Sequence, residues 1–211
     1  MTELASKLVG RFIVIDGPDG AGKTTQLCML ADYLRSLGVE FVQTRDPGGT
    51  AVGDRIREIL LDRAHDRMAV ECEMLLYMAS RAQLVAEVIA PALRGGQCVL
   101  CDRYVSSTVA YQGAGGADVE AILANTKTVV GTTWPDLTII LDVDPAEGLA
   151  RLKTPPDRME AKNLGFHRKV RELFLKQAAD SPRRFAVVDA AGGPAEVQQR
   201  LREVLQKHRW D

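Results

Sequence analysis

The chain has almost no excess of charge. Its 211 residues carry 27 Lys and Arg against 28 Asp and Glu, a formal net charge of −1. Coating nucleic acid or an anionic membrane needs a basic surplus, so neither is expected as a partner. No apolar run approaches the roughly 18 residues of a membrane span. Residues 1–11 carry Glu3, Lys7 and Arg11 with no apolar stretch among them, so no signal peptide is expected, and the chain reads as cytoplasmic. Cysteine is scarce. Cys28, Cys72, Cys98 and Cys101 lie in apolar periodic segments and read as reduced core thiols. Cys98 and Cys101 are spaced C-x-x-C, but on a strand such positions face opposite ways, which excludes a shared metal or disulfide. There is no internal repeat and no low-complexity linker.

What is present is ordinary globular composition, 46% hydrophobic and 26% charged. At about 150 residues per domain, the length suggests one α/β domain over 1–211 with an inserted lid at about 151–160. Short apolar runs at 12–15, 39–44, 97–100, 137–143 and 185–188 predict five strands. Helical spacing fills 27–37, 52–60, 69–93, 104–111, 117–130, 161–178 and 194–207. Gly38 and Gly95-Gly96 close helices, Asp144 and Pro145 open one, and Thr154-Pro155-Pro156-Asp157 interrupts one. The strand runs are continuous rather than alternating, as for strands covered on both faces. The predicted fold is therefore a five-stranded parallel sheet flanked by helices, with ligands at the carboxyl ends of the strands.

The chemistry-bearing motifs fall at those ends. Gly17-Pro18-Asp19-Gly20-Ala21-Gly22-Lys23-Thr24 has the spacing G-x-x-x-x-G-K-[ST] between a predicted strand and a predicted helix. Such a loop turns backbone N–H groups toward phosphate oxygens and adds the positive end of a helix. Lys23 then reaches the β- and γ-phosphates of ATP, and the Thr24 hydroxyl ligates Mg²⁺. Thr25 completes the ATP-binding segment. Asp102, ending the apolar run 98–101, is the expected second carboxylate near Mg²⁺, and Arg103 follows it.

Among P-loop proteins, a GTPase needs N-K-x-D for its base, which Asn125-Thr126-Lys127-Thr128 does not supply. A motor or helicase needs a longer chain. A small kinase remains. Phosphorylating a hydroxyl requires a base. Phosphorylating a phosphate does not, since a monoester is already largely dianionic at neutral pH. It requires instead several cations at separate chain positions and a flap that excludes water. Arg45, Arg81 and Arg103 stand near predicted loop ends, and Arg151, Lys153 and Arg158 surround the Pro-Pro break. A kinase for a different nucleotide or a deoxynucleoside, and a regulatory module that binds nucleotide without turnover, remain as alternatives on these residues alone.

The segment 12–25 resembles the opening of thymidylate kinases. So do Thr44-Arg45-Asp46-Pro47-Gly48-Gly49-Thr50, Cys101-Asp102-Arg103-Tyr104, Ala110-Tyr111-Gln112-Gly113 and Pro135-Asp136-Leu137-Thr138. The resemblance implies a P-loop nucleoside monophosphate kinase fold and Mg-ATP-dependent phosphorylation of dTMP to dTDP for dTTP synthesis. It implies that Asp19 accepts the 3′-hydroxyl, that Tyr77 stacks on thymine and that Arg81 bonds a thymine carbonyl. It implies that Thr108, Tyr111 and Gln112 read the base edge and crowd the 2′ position. It places Arg45 and Arg103 on the acceptor phosphate, beside the turn Pro47-Gly48-Gly49. It also implies a homodimer joined through helices.

The P-loop here carries no arginine, so the resemblance assigns a lid cation to the transferred phosphoryl, with Arg158 preferred over Arg151 and Lys153. The chain departs from the family in three places: Asp16 stands where Glu is usual, no arginine follows Gly113, and 163–171 is unusually basic. That basic stretch reads as a solvated helix face.

Overall fold

The computed structural model describes residues 2–152 and 155–210. The chain begins with a short helix, α1 (Glu3–Lys7), and β1 (Phe12–Asp16). Then come α2 (Lys23–Ser36), β2 (Phe41–Arg45), α3 (Ala51–Leu61), α4 (Val70–Leu84), α5 (Ala90–Arg94) and β3 (Cys98–Asp102). The second half contains α6 (Val105–Ala114), α7 (Val119–Val130), β4 (Leu137–Asp142), α8 (Pro145–Ala150), α9 (Leu164–Asp180), β5 (Phe185–Asp189) and α10 (Pro194–Lys207). The five strands form one sheet in the order β2-β3-β1-β4-β5, and every pairing is parallel, as the continuous apolar runs predict. From β1 the chain crosses to one side to reach β2 and β3, then returns past β1 to β4. That reversal opens a crevice at the carboxyl end of β1. Ile15 pairs with Asp102, so the P-loop and Arg103 emerge side by side into it.

Alternate residues of each strand enter different cores. Ile13, Ile15, Cys98, Leu100, Ile139 and Leu141 pack with α1, α2 and α10. Phe12, Val14, Val99 and Cys101 pack with α4 to α7. Burying a side chain such as Leu100 contributes about 1.5–3 kcal/mol. Cys98 and Cys101 thus sit in opposite cores. Cys28 and Cys72 correct the expectation for the other two thiols, because both are exposed. They lie beside, not on, the buried stripes of α2 and α4.

The helix expected over 69–93 is continuous but not uniformly α. Val85–Ile89 forms a π turn between α4 and α5. Pro91 lacks the N–H of a regular ladder, and its ring would crowd the carbonyl one turn earlier, so a locally widened helix absorbs it. The basic stretch before 171 also departs from expectation. Val170 and Phe174 define the inner face of α9, and His167 shares it, 2% exposed, while Arg171 turns back to Asp142. Arg168 and Lys169 are exposed, and Arg171 is half-buried. Among the described residues, no helix is long and apolar enough to cross a membrane.

Candidate active site

The P-loop is shaped by its close approach to α8. Gly20 has φ +72°, and a Cβ there would lie 1.8 Å from the Gly148 carbonyl oxygen. Gly22 caps α2 in the left-handed region, with φ +85°. No side chain caps that helix start, leaving first-turn amides for an anion. Lys23 is buried and donates from Nζ to the carbonyls of Gly17 (3.0 Å) and Pro18 (2.7 Å). Burial, followed by the nearby Arg103 cation, pushes its ammonium down to about 8. Thr24 and Thr25 are exposed in the first turn.

The two central strands end in carboxylates with different surroundings. Asp16 is fully buried and accepts from Ser106 Oγ (2.6 Å), Ser107 Oγ (2.7 Å) and the Gly17 amide (2.9 Å). Asp102 lines the crevice, and its Oδ1 is buried without a hydrogen-bond partner among the described residues. The next residue, Arg103, has φ +63°, the left-handed region for a side chain that ordinarily avoids it. That backbone swing aims the guanidinium inward. It donates to Gly17 O (3.1 Å) and Ser107 Oγ (3.1 Å), pairs with Asp19 Oδ1 (2.5 Å) and lies 5.0 Å from the Tyr111 ring centroid. Burial alone would raise the Asp19 carboxyl, but Arg103 and Lys23 outweigh it and hold the group below its ordinary range.

The far side of the crevice is floored by Arg81, 1% exposed. Its Nε donates to Asp46 Oδ2 (2.6 Å), and its Nη2 donates to Thr108 Oγ1 (2.8 Å) and the Tyr104 carbonyl (3.2 Å). Burial pushes the Asp46 carboxyl up, and Arg81 opposes it. The Asp46–Pro47 peptide is cis. After it, Gly48 N donates to Ser80 Oγ (3.1 Å), and Thr50 Oγ1 accepts from Gly53 N (3.0 Å) to start α3. Two further cations edge this turn: Arg45, bonded to Asp54 Oδ1 (3.0 Å), and Arg57, bonded to the Pro47 carbonyl (3.1 Å). The P-loop residues from Asp19 onward share one cleft of about 1250 Å³ with Tyr77, Arg81 and Gln112.

A family model described as thymidylate kinase matches residues 15–201. The thymidylate kinase of Deinococcus radiodurans is 49% identical over 195 residues, covering 91% of this chain and 94% of its own. That of Pseudomonas fluorescens strain Pf-5 is 46% identical over 201 residues, covering 94% and 96%. The chain belongs to the thymidylate kinase family. The crystal structure of thymidylate kinase from Ehrlichia chaffeensis superposes with a TM-score of 0.79 at 32% identity, over 94% of this chain and 99% of that one.

In this thymidylate kinase fold, the cleft is lined by Asp19, Gly20, Ala21, Gly22, Lys23, Thr24 and Thr25 from the P-loop segment. Arg45, Pro47, Tyr77, Arg81, Arg103, Tyr111 and Gln112 line the other arm. Gly17 and Pro18 lie behind, offering carbonyls to Lys23. Gly48 and Thr108 also stand behind the lining, the second as support for Arg81. The expected lid cations separate. Arg151 lines the cleft and donates to the Ala190 carbonyl (3.2 Å). Arg158 does not line it: it is 3% exposed and ion-paired with Glu73 (2.5 Å). Lys153 lies outside the described residues.

Sequence reasoning missed Arg57, whose pKa is lowered by burial and by the Arg45 and Arg103 cations. Its signal was a basic residue two turns into the helix after Pro47-Gly48-Gly49, beside the apolar Ile56 and Leu60. It also missed the end of the cleft formed by Ala190, Gly192 and Pro194.

Proposed function

We infer that the chain transfers the γ-phosphoryl group of ATP to dTMP, giving dTDP and ADP. Family membership supports the reaction, and one observation carries the assignment of its parts. One cleft is lined by the P-loop segment, by Tyr77 and Arg81, and by Arg45, Arg57 and Arg103. The acceptor phosphate needs no base, because it arrives anionic. The obstacle is bringing two phosphate groups together, and catalysis is positioning and charge neutralisation. Arg45, Arg57 and Arg103 hold the acceptor phosphate. Lys23 and the open amides of α2 hold the donor. Asp19 accepts the 3′-hydroxyl, its Oδ2 being buried without a hydrogen-bond partner among the described residues. Tyr77 stacks on thymine, Arg81 bonds its carbonyl, and Tyr111 and Gln112 close around the sugar and base edge.

The residues fit a bound Mg²⁺. The unpartnered Asp102 oxygen and the exposed Thr24 hydroxyl are hard oxygen donors beside the P-loop, and Mg²⁺ is commonly held by one or two such groups plus phosphates. When bound, the ion would supply positive charge that offsets the charge of the donor phosphates. Asp16 contributes by shaping: its oxygens are taken by Ser106, Ser107 and Gly17, so the shorter carboxylate locks β1 to α6.

The segment 151–160 is the lid of one kinase domain, and Arg151 is its cation for the transferred phosphoryl group. A homodimer fits the surface as well. Val52 and Ile59 on α3, Leu75 on α4 and Leu123 on α7 are exposed apolar residues on three neighbouring helices. Sedimentation of the purified protein gives twice 23.1 kDa on this reading, and a monomer mass contradicts it. The reaction itself is tested by ³¹P NMR of the chain with Mg-ATP and dTMP. Equal amounts of dTDP and ADP support it. ADP with inorganic phosphate and no dTDP overturns it.

A further inference from the structure

We propose that Glu73 sets the hydrogen-bond polarity of the base pocket, and that Arg158 holds the Glu73 carboxylate in place for that task. The proposal rests on the reading that the cleft takes dTMP.

Three side chains form a buried line. Glu73, Gln112 and Arg158 are 6%, 1% and 3% exposed. Glu73 Oε1 accepts from Gln112 Nε2 at 2.6 Å, and Glu73 Oε2 meets Arg158 Nη2 at 2.5 Å. Arg158 is anchored in turn, its Nε donating to the Leu60 carbonyl at the end of α3 (2.7 Å). Glu73 Oε1 is the acceptor in its contact with Gln112. Gln112 must therefore turn its NH₂ group toward Glu73. One N–H of Gln112 is thereby engaged by Glu73, and its carbonyl oxygen is free to accept from a ligand in the cleft that Gln112 lines.

That polarity selects among pyrimidines. Thymine and uracil carry a hydrogen on N3 and can donate to this oxygen. Cytosine has a lone pair there and meets it acceptor to acceptor. Tyr77 stands one helical turn from Glu73 and Arg81 two turns, so α4 presents stacking, polarity and carbonyl recognition along one face. The segment that places Arg151 at the phosphate end plants Arg158 beneath the base end. Without Arg158, the Glu73 carboxylate loses the contact that holds its Oε1 against Gln112, which lets the Gln112 amide reverse.

The test is kcat and KM of the full-length enzyme for dTMP, dUMP and dCMP with Mg-ATP, in the wild type, Glu73→Gln, Arg158→Met and Arg158→Lys. Glu73→Gln is nearly isosteric but can donate or accept, so it makes both Gln112 orientations available. The expected result is a fall of at least tenfold in the dTMP-over-dCMP ratio of kcat/KM for Glu73→Gln and Arg158→Met. The change lies in KM for the acceptor, with KM for ATP within twofold of wild type and most of the selectivity kept in Arg158→Lys. A purely structural role would lower both acceptors in parallel, and an unchanged ratio or a parallel loss in folded Glu73→Gln overturns the proposal. If Glu73→Gln fails to fold, the contrast between Arg158→Lys and Arg158→Met decides by the same ratio. A wild-type enzyme that turns over dTMP while its variants keep their selectivity contradicts this inference alone. A wild type inactive with dTMP overturns the functional reading and this inference with it.

Discussion

Arg103 and Asp19 meet across the floor of the cleft, Nη2 to Oδ1 at 2.5 Å, with the Arg103 backbone held at φ +63° to make the contact. The pair joins the two halves of the proposed reaction. On the proposed reading, Arg103 holds the acceptor phosphate and Asp19 the sugar hydroxyl. Asp19 Oδ1 is bonded to Arg103, and Oδ2, 3.8 Å from His167 Nδ1, is the oxygen that the proposed reading assigns to the 3′-hydroxyl.

Asp19→Asn should therefore lose sugar recognition. A hydrogen bond to a charged group contributes about 1.5–3 kcal/mol, or about 10- to 150-fold. The expected result is a fall of that size in kcat/KM for dTMP and little change for its 3′-deoxy analogue. Steady-state kinetics with both substrates checks this, and equal losses on both contradict the assignment.

The lowered pKa of Lys23 gives a pH dependence. In the free enzyme the side chain is a cation below about 8 and neutral above it. Bound phosphates favour the cation and raise that value. So kcat/KM for ATP, which reports the free enzyme, should decline above about pH 8. The kcat value, which reports the complex, should hold to higher pH. A profile of kcat/KM flat to pH 9.5 contradicts the account.

Gly20→Ala tests the approach of the P-loop to α8. The added Cβ would lie 1.8 Å from the backbone oxygen of Gly148, at a φ that L residues rarely adopt. Neither backbone can move cheaply. A loss of at least about 2 kcal/mol is expected, or about 4–8 °C in Tm for a chain of this size. Differential scanning calorimetry measures it, and an unchanged Tm contradicts the packing described.

Arg151→Ala tests the lid cation. Removing one preorganised donor from developing charge commonly costs about 10²–10³ in kcat. A loss of that order is expected with KM for dTMP nearly unchanged, since Arg151 lies at the phosphate end. Retention of kcat would shift the role to Lys153.

The parallel sheet was legible because its strands are continuous apolar runs and its P-loop sits between a strand and a helix. The positions of Lys23, Asp102 and Arg103 followed from that. The fate of Arg158 was not legible. In sequence it is one of three cations around a Pro-Pro break, and only the fold brings Glu73, 85 residues earlier, to meet it. His167 was misread for a related reason. Counted by composition, it belongs to a basic run. Counted by helical spacing with Val170 and Phe174, it belongs to the buried face, where its Nδ1 lies 3.8 Å from Asp19 Oδ2. Arg57 joins Arg45 and Arg103 only because the turn at Pro47 folds α3 back over the end of β2. The π turn is a compromise between Pro91 and an otherwise regular helix, which the apolar spacing alone does not reveal.

The most direct test of the central claim is ADP release with Mg-ATP and one acceptor at a time: dTMP, dUMP, dCMP, dGMP, AMP and thymidine. The account predicts turnover that depends on the acceptor, fastest with dTMP and absent with thymidine, because the cleft gathers Arg45, Arg57 and Arg103 for an anionic acceptor. Turnover with thymidine alone, or ADP release at the same rate without any acceptor, would contradict it.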